Sequence, residues 1–241
     1  MRIDVALTPG MAPPADPGRD VVVIDVLRAT STIVTALDAG ADGVVPEGSI
    51  EEAAVRARAE GALLGGEREG LAPPGYDLGN SPRDYDRARC AGRRVVLSTT
   101  NGTQAVRIAR GGRRVLAAAL LNAEATLRAL RAGGATDVLL LCAGSRGQVA
   151  ADDVAAAGCL AGGLLGGGGR PTDAARVAIA LFDAWRHDLQ GLLRRSVSGG
   201  RLLSIGLGSD IEDCARLDAL PLAVELDPDG VFRKAGARHG A

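Results

Sequence analysis

A chain of 241 residues that is 46% hydrophobic and 24% charged, with a formal net charge of -1, has enough apolar side chains for one buried core and no net charge to hold nucleic acid or anionic lipid. Aromatics make up 2% of the chain and Lys234 is its single lysine. This excludes base-stacking platforms and a catalytic or phosphate-gripping lysine in the body of the fold.

The elements alternate in chain order. Residues 3–7 read as a strand, followed by a Pro-rich loop. The β-branched run at 21–26 predicts a strand buried on both faces. A helix follows at 30–39, stopped by Gly40. A short strand at 44–45 leads to a helix with Ser49 as N-cap and Glu52 three residues on. After a short strand at 63–64, residues 65–82 form a Gly, Pro, Asn and Asp-rich loop, of the kind that covers active sites. Strands are predicted at 95–97, 115–120, 138–142 and 222–226. Helices are predicted at 104–110, 123–132, 154–165, 171–195 (in one piece or two), 201–205 and 210–217. This alternation predicts a single domain over 1–241, an α/β layered fold with a mostly parallel or mixed sheet flanked by helices.

Cys90, Cys142, Cys159 and Cys214 form no Cys-x-x-Cys pair, and His187 and His239 are the only histidines. Zinc-site spacing is therefore absent, and the cysteines read as apolar fillers in a reducing compartment. His187 reads as a packing or surface residue, and His239 falls in a terminal tail expected to be disordered. No long apolar segment opens the chain, and the Gly-interrupted run at 154–165 is too short to span a bilayer. We expect a cytoplasmic protein without a membrane partner. The 154–165 helix has two readings, core and a homo-oligomer contact.

Ligands of parallel sheets bind beyond the carboxyl ends of the strands. After 21–24 come Asp25 and Arg28, then Thr30, Ser31 and Thr32 at a helix start. Asp suits a hard cation and Arg a phosphate or sulfonate; a helix cap plus a structural ion pair is an equal reading. After 95–97 comes Ser98-Thr99-Thr100-Asn101-Gly102-Thr103, a dense donor array entering a helix and favouring an anion over a plain cap. After 138–141 come Gly144, Ser145, Arg146 and Gly147, a tight turn, then Asp152 and Asp153. The acid pair can ligate metal or do acid–base work, and one of the two can simply complement the helix dipole. The 65–82 loop adds Glu67, Asn80 and Ser81.

Together these parts call for a small anionic substrate and a divalent cation, which suits phosphoryl transfer. Several phosphatase designs are excluded. Cys142 has Gln148 where a cysteine phosphatase needs Arg, His187 and His239 lie in contexts other than that of a histidine phosphatase's Arg-His-Gly, and Asp25 is followed by Val26-Leu27 rather than by Asp-x-Asp spacing. A serine hydrolase elbow is absent as well.

The blocks 23–32, Glu67-Arg68 with 75–82, 98–103, Cys142-Ala143-Gly144 with Gly147 and Asp152-Asp153, and Ser198 to Cys214 resemble the 2-phosphosulfolactate phosphatase family, in order and over nearly the whole chain. The resemblance implies a topology particular to that family and a magnesium-dependent phosphatase. The family reaction releases phosphate from 2-phosphosulfolactate to give 3-sulfolactate, a step toward coenzyme M. One departure is Asp152, where the family has Glu, which makes Asp153 the better expected ligand. We assign Asp25, Arg28 and Asp153 as catalytic. Asn80, Ser81, Thr99, Thr100, Asn101, Gly102, Thr103, Gly144, Ser145 and Arg146 are assigned to substrate, and Asp25, Glu67, Asp152 and Asp153 to Mg2+. A phosphatase for another small phosphorylated acid and a non-catalytic anion-binding protein are the alternatives.

Overall fold

A computed structural model describes residues 1–236; His239 lies outside them. One sheet of ten strands organises the chain. The strands are β1 (Arg2–Ala6), β2 (Asp20–Ile24), β3 (Gly43–Glu47), β4 (Leu63–Gly66), β5 (Arg94–Ser98), β6 (Arg114–Ala118), β7 (Asp137–Cys142), β8 (Arg170–Pro171), β9 (Val224–Leu226) and β10 (Phe232–Lys234). The helices are α1 (Ala29–Asp38), α2 (Ile50–Glu60), α3 (Arg87–Cys90), α4 (Gly102–Ala109), α5 (Ala123–Ala132), α6 (Ala151–Leu165), α7 (Asp173–Trp185), α8 (Leu189–Arg195), α9 (Val197–Ser204) and α10 (Gly208–Cys214).

The strand order is β4-β5-β3-β10-β9-β6-β2-β7-β1-β8. Two parallel blocks, β4-β5-β3 and β6-β2-β7-β1-β8, are stitched by the antiparallel hairpin β9–β10. The sheet is thus mixed. The sequence pattern indicates β9, through the mostly apolar stretch 222–226, but not β10, where Phe232 is followed by Arg233 and Lys234.

All five residues of β2 are buried, as its β-branched run dictates. Successive side chains point to opposite faces. Val22 and Ile24 join a core with Leu116, Leu140, α5, α6, α7 and α8. Val21 and Val23 join the opposite core with α1, α4, Leu139, Leu141 and Phe232. The helix over 151–165 is core: Val154, Ala155, Ala157, Leu160, Ala161 and Leu164 are all buried. Gly158 lets α7 approach closely, since a Cβ there would collide with the Ala178 carbonyl. Ser49 caps α2 by accepting from the Glu52 amide at 3.0 Å.

All four cysteines are free, three buried and Cys159 half-buried. Burial pushes the Cys159 and Cys214 thiols up to about 12, which removes them as nucleophiles. No helix among the described residues is long and apolar enough to cross a membrane.

Candidate active site

Register places the polar segments together. Ile24 pairs with Cys142 of β7, and the Ala143 amide donates to the Ile24 carbonyl at 2.8 Å. Asp25 and Gly144 therefore leave the sheet side by side. The crossover after β5 carries α4 onto β2, so the 99–103 array meets Asp25 from the other parallel block. A Cβ on Gly102 would lie 2.9 Å from Asp25 Oδ2, 2.7 Å from the Ala29 Cβ and 3.3 Å from Thr99 Oγ1.

The segment after β2 is partly structural. Asp25 Oδ1 accepts from the Ala29 amide at 3.2 Å. The hydroxyls of Thr30, Ser31 and Thr32 donate to the carbonyls of Asp25, Val26 and Asn80. These hydroxyls fasten the turn and the covering loop instead of facing an anion. Arg28 donates to Asp210 Oδ2 at 2.7 Å and to the Gly70 carbonyl at 2.6 Å. Ser81 donates its hydroxyl to the other oxygen of Asp210, at 2.6 Å. Arg28, read from sequence as catalytic, and Ser81, read as a substrate group, are thus held by one carboxylate from α10.

The acid pair at the start of α6 divides. Asp153 accepts from the Val26 amide at 2.8 Å and the Gly144 amide at 2.9 Å, one on each oxygen. It ties the turn after β2 to the turn after β7, and it consumes the Gly144 N–H read from sequence as an anion donor. Asp152 Oδ1 is buried without a hydrogen-bond partner. The geometry therefore favours Asp152 over Asp153 as the free donor, the reverse of the order that the family resemblance implied.

Glu67 accepts from the Thr100 amide and hydroxyl, both at 2.9 Å, and from the Gly70 amide at 2.8 Å. Thr103 donates its hydroxyl to the Thr99 carbonyl at 2.7 Å, and Asn101 Oδ1 accepts from the Arg146 amide. Thr99 Oγ1 and Asn80 Oδ1 are buried without partners.

A cavity of about 350 Å³ is lined by Asp25, Arg28, Glu67, Asn80, Thr99, Thr100, Asn101, Ser145 and Arg146, all singled out from sequence. Arg68, Glu69, Gly70, Ser198, Arg201 and Leu202 line it too. Ser81, Gly102, Thr103, Gly144, Asp152 and Asp153 do not line it. The sequence reading assigned no role to Glu69, Ser198, Arg201 or Asp210. The available signal was that Arg201 falls inside the block from Ser198 to Cys214, but nothing local ties α9 to strand ends.

The electrostatics are unbalanced at the floor. Burial pushes the Asp25 carboxyl up to about 7, with the charges of Asp152 and Glu67 adding to the rise and the Ala29 amide and Arg28 opposing it. Burial lifts Asp152 to about 6. Asp153 is raised well above the usual range by burial, then by the charges of Asp152 and Asp25. Buried like charges call for a compensating cation.

Among the described residues no three acids, histidines or cysteines converge into a ready metal cage. The donor set still suits Mg2+, which binds through one or two carboxylates, keeps several waters and shares its shell with substrate phosphate. Asp25 supplies the carboxylate in the cavity wall, the unpartnered oxygens of Thr99, Asn80 and Asp152 are hard donors, and Gly102 leaves the space beside Asp25 open.

Comparison with known proteins agrees in extent. A family model described as 2-phosphosulpholactate phosphatase matches residues 7–228. A "Probable 2-phosphosulfolactate phosphatase" of Thermotoga petrophila is 41% identical over 218 residues, covering 89% of this chain and 91% of the relative. Relatives of the same name in Deinococcus radiodurans and Symbiobacterium thermophilum are each 44% identical, covering 86% and 87% of this chain and 87% and 93% of their own lengths. The chain belongs to the 2-phosphosulfolactate phosphatase family, a family of phosphoric monoester hydrolases.

Proposed function

We propose that the chain is a magnesium-dependent phosphatase that hydrolyses 2-phosphosulfolactate to 3-sulfolactate and inorganic phosphate. The observation that carries this reading is the single cavity in which Asp25, the 99–101 array and four arginines (Arg28, Arg68, Arg146 and Arg201) meet. Cations and hydroxyls around one buried carboxylate match a substrate with several negative charges and an oxygen-ligated metal.

The chain's own groups account for most of the work. Thr99, whose buried hydroxyl has no protein partner, faces phosphate oxygens from the cavity wall just before α4. Among the described residues Arg68 donates only to the carbonyls of Glu67 and Gly48 and to Ser98, and no carboxylate there neutralises its charge. It balances charge on the phosphoryl group. Arg28, locked by Asp210, contributes a fixed positive field without reorganisation. Water attacks phosphorus, the bond to the ester oxygen breaks, and that oxygen leaves as the hydroxyl of 3-sulfolactate. Asp25, with Asp152, Asn80 and Thr99 beside it, would hold Mg2+, which would supply charge neutralisation at the phosphate and acidification of water.

The test is phosphate release from a panel of phosphorylated acids, with and without exhaustive chelation. Fastest release from 2-phosphosulfolactate, abolished by chelator and restored by Mg2+, supports the reading. Release indifferent to chelation removes the metal, and tight binding of the panel without release makes the protein an anion binder.

A further inference from the structure

Two tight turns face each other across the cavity mouth. Arg68 and Leu71 exchange both backbone hydrogen bonds around Glu69 and Gly70, and Ser145 and Gln148 do the same around Arg146 and Gly147. All four central residues are left-handed, with φ of 58° and 87° in the first turn and 50° and 75° in the second. Glycine or asparagine suits such positions, and a Glu or an Arg there is held at a conformational cost. Each turn nevertheless places a charged side chain at its tip, which points to a use for that side chain.

The tips meet. Arg146 lies 3.3 Å from Glu69 Oε1, and Arg201 of α9 reaches the same oxygen at 3.8 Å. One carboxylate oxygen thus sits between two guanidinium groups that both line the cavity. No other acid pairs with either arginine among the described residues. The Glu69 side chain is 81% exposed, so the contact is the weak, readily exchanged kind.

We propose that Arg146 and Arg201 form the subsite for the second anionic group of the substrate, a sulfonate or carboxylate, and that Glu69 fills this subsite until the substrate displaces it. The inference rests on the phosphatase reading for the identity of the ligand. A sulfonate or carboxylate presents the planar or trigonal oxygens that guanidinium forks match. Glu69 then acts as an internal competitor. It keeps two facing arginines from repelling each other in the empty cavity, and only a substrate with an anionic tail has to compete with it for them.

The experiment measures kcat/KM for 2-phosphosulfolactate and for glycerol 2-phosphate, whose tail is neutral, in wild type, Arg201→Gln, Arg201→Lys and Glu69→Gln. Arg194→Gln, in an exposed pair with Glu212 on the far helix, is the control. The ratio of the two kcat/KM values falls roughly tenfold in Arg201→Gln, with the loss in KM, and is partly restored by Arg201→Lys. It rises several-fold in Glu69→Gln, because the competitor is gone. Ratios that match wild type in both Arg201→Gln and Glu69→Gln overturn the subsite. If wild type releases phosphate from no ester, the phosphatase reading fails, and calorimetry with 3-sulfolactate decides the subsite separately. Affinity roughly tenfold weaker in Arg201→Gln and tighter in Glu69→Gln upholds it; unchanged affinities sink it.

Discussion

Asp210 holds the Arg28 guanidinium at 2.7 Å with both side chains almost wholly shielded from water, 1% and 3% exposed. The same carboxylate accepts the Ser81 hydroxyl at 2.6 Å. It joins α10 to the covering loop and to the turn after β2. Removing one partner of a buried ion pair leaves the other charged and unpaired, at a cost of about 3–5 kcal/mol. Asp210→Ala should lower stability to urea by that amount and reduce phosphate release. A loss below about 1 kcal/mol would mean that Arg28 finds water or another acceptor.

Gly102 sits where α4 meets Asp25. In a helix, Ala normally exceeds Gly by about 1 kcal/mol. Here the added methyl would press on the Ala29 Cβ at 2.7 Å and on Asp25 Oδ2 at 2.9 Å. Overpacking costs about 1–3 kcal/mol, so the clash wins. Gly102→Ala should lower the melting temperature slightly and turnover by about 100-fold, since the methyl occupies the space beside the acid. Wild-type turnover in this variant would show that the space is not used.

Asp25 couples function to instability. It is buried among other acids, and burial pushes its carboxyl up to about 7. At pH 8 without metal, Asp25→Asn removes an uncompensated charge while keeping an oxygen for the Ala29 amide. The metal-free variant should melt at the wild-type temperature or above, yet release no measurable phosphate. Saturating Mg2+, at about 100 times its dissociation constant, should stabilise wild type by about 2.7 kcal/mol and leave the variant unmoved. Scanning calorimetry on the two proteins checks this. Equal Mg2+ shifts in both would take Asp25 out of the metal shell.

Asp20 supplies the pH signature of the fold. It is fully buried at the start of β2, and Arg113 and Arg114 each donate to Oδ2 at 2.7 Å. Burial raises its carboxyl, but the two arginines more than offset this, and it lies below its usual value. A carboxylate lowered on folding stabilises the fold above its unfolded pKa, near 4, and this contribution is lost as pH falls through the lowered value. Asp20→Asn should therefore cost about 1.5–3 kcal/mol at pH 7, with the gap to wild type narrowing below pH 4 in urea titrations. A pH-independent gap would assign the effect to packing.

Local pattern determined a good deal of this protein. The β-branched run of β2 and the Ser49 cap are legible because burial on both faces and a side-chain cap are properties of neighbouring residues. The three polar segments after β2, β5 and β7 were legible for a related reason: a buried strand must end in a turn, and these turns carry acids, hydroxyls and glycines beyond what turning requires. The motifs they spell also mark the family.

Tertiary structure alone decided which of those groups are free to act. Asp152 and Asp153 are adjacent in sequence, and only the positions of the Val26 and Gly144 amides decide which carboxylate is consumed. The hairpin β9–β10 pairs with strands far away in the chain, so three-residue segments acquire their role from partners rather than from their own composition. Arg201 reaches Glu69 across more than half the chain, through the docking of α9 on the cavity rim. Hydrogen bonds and ion pairs act over a few ångströms of space, and separation along the chain does not specify that distance.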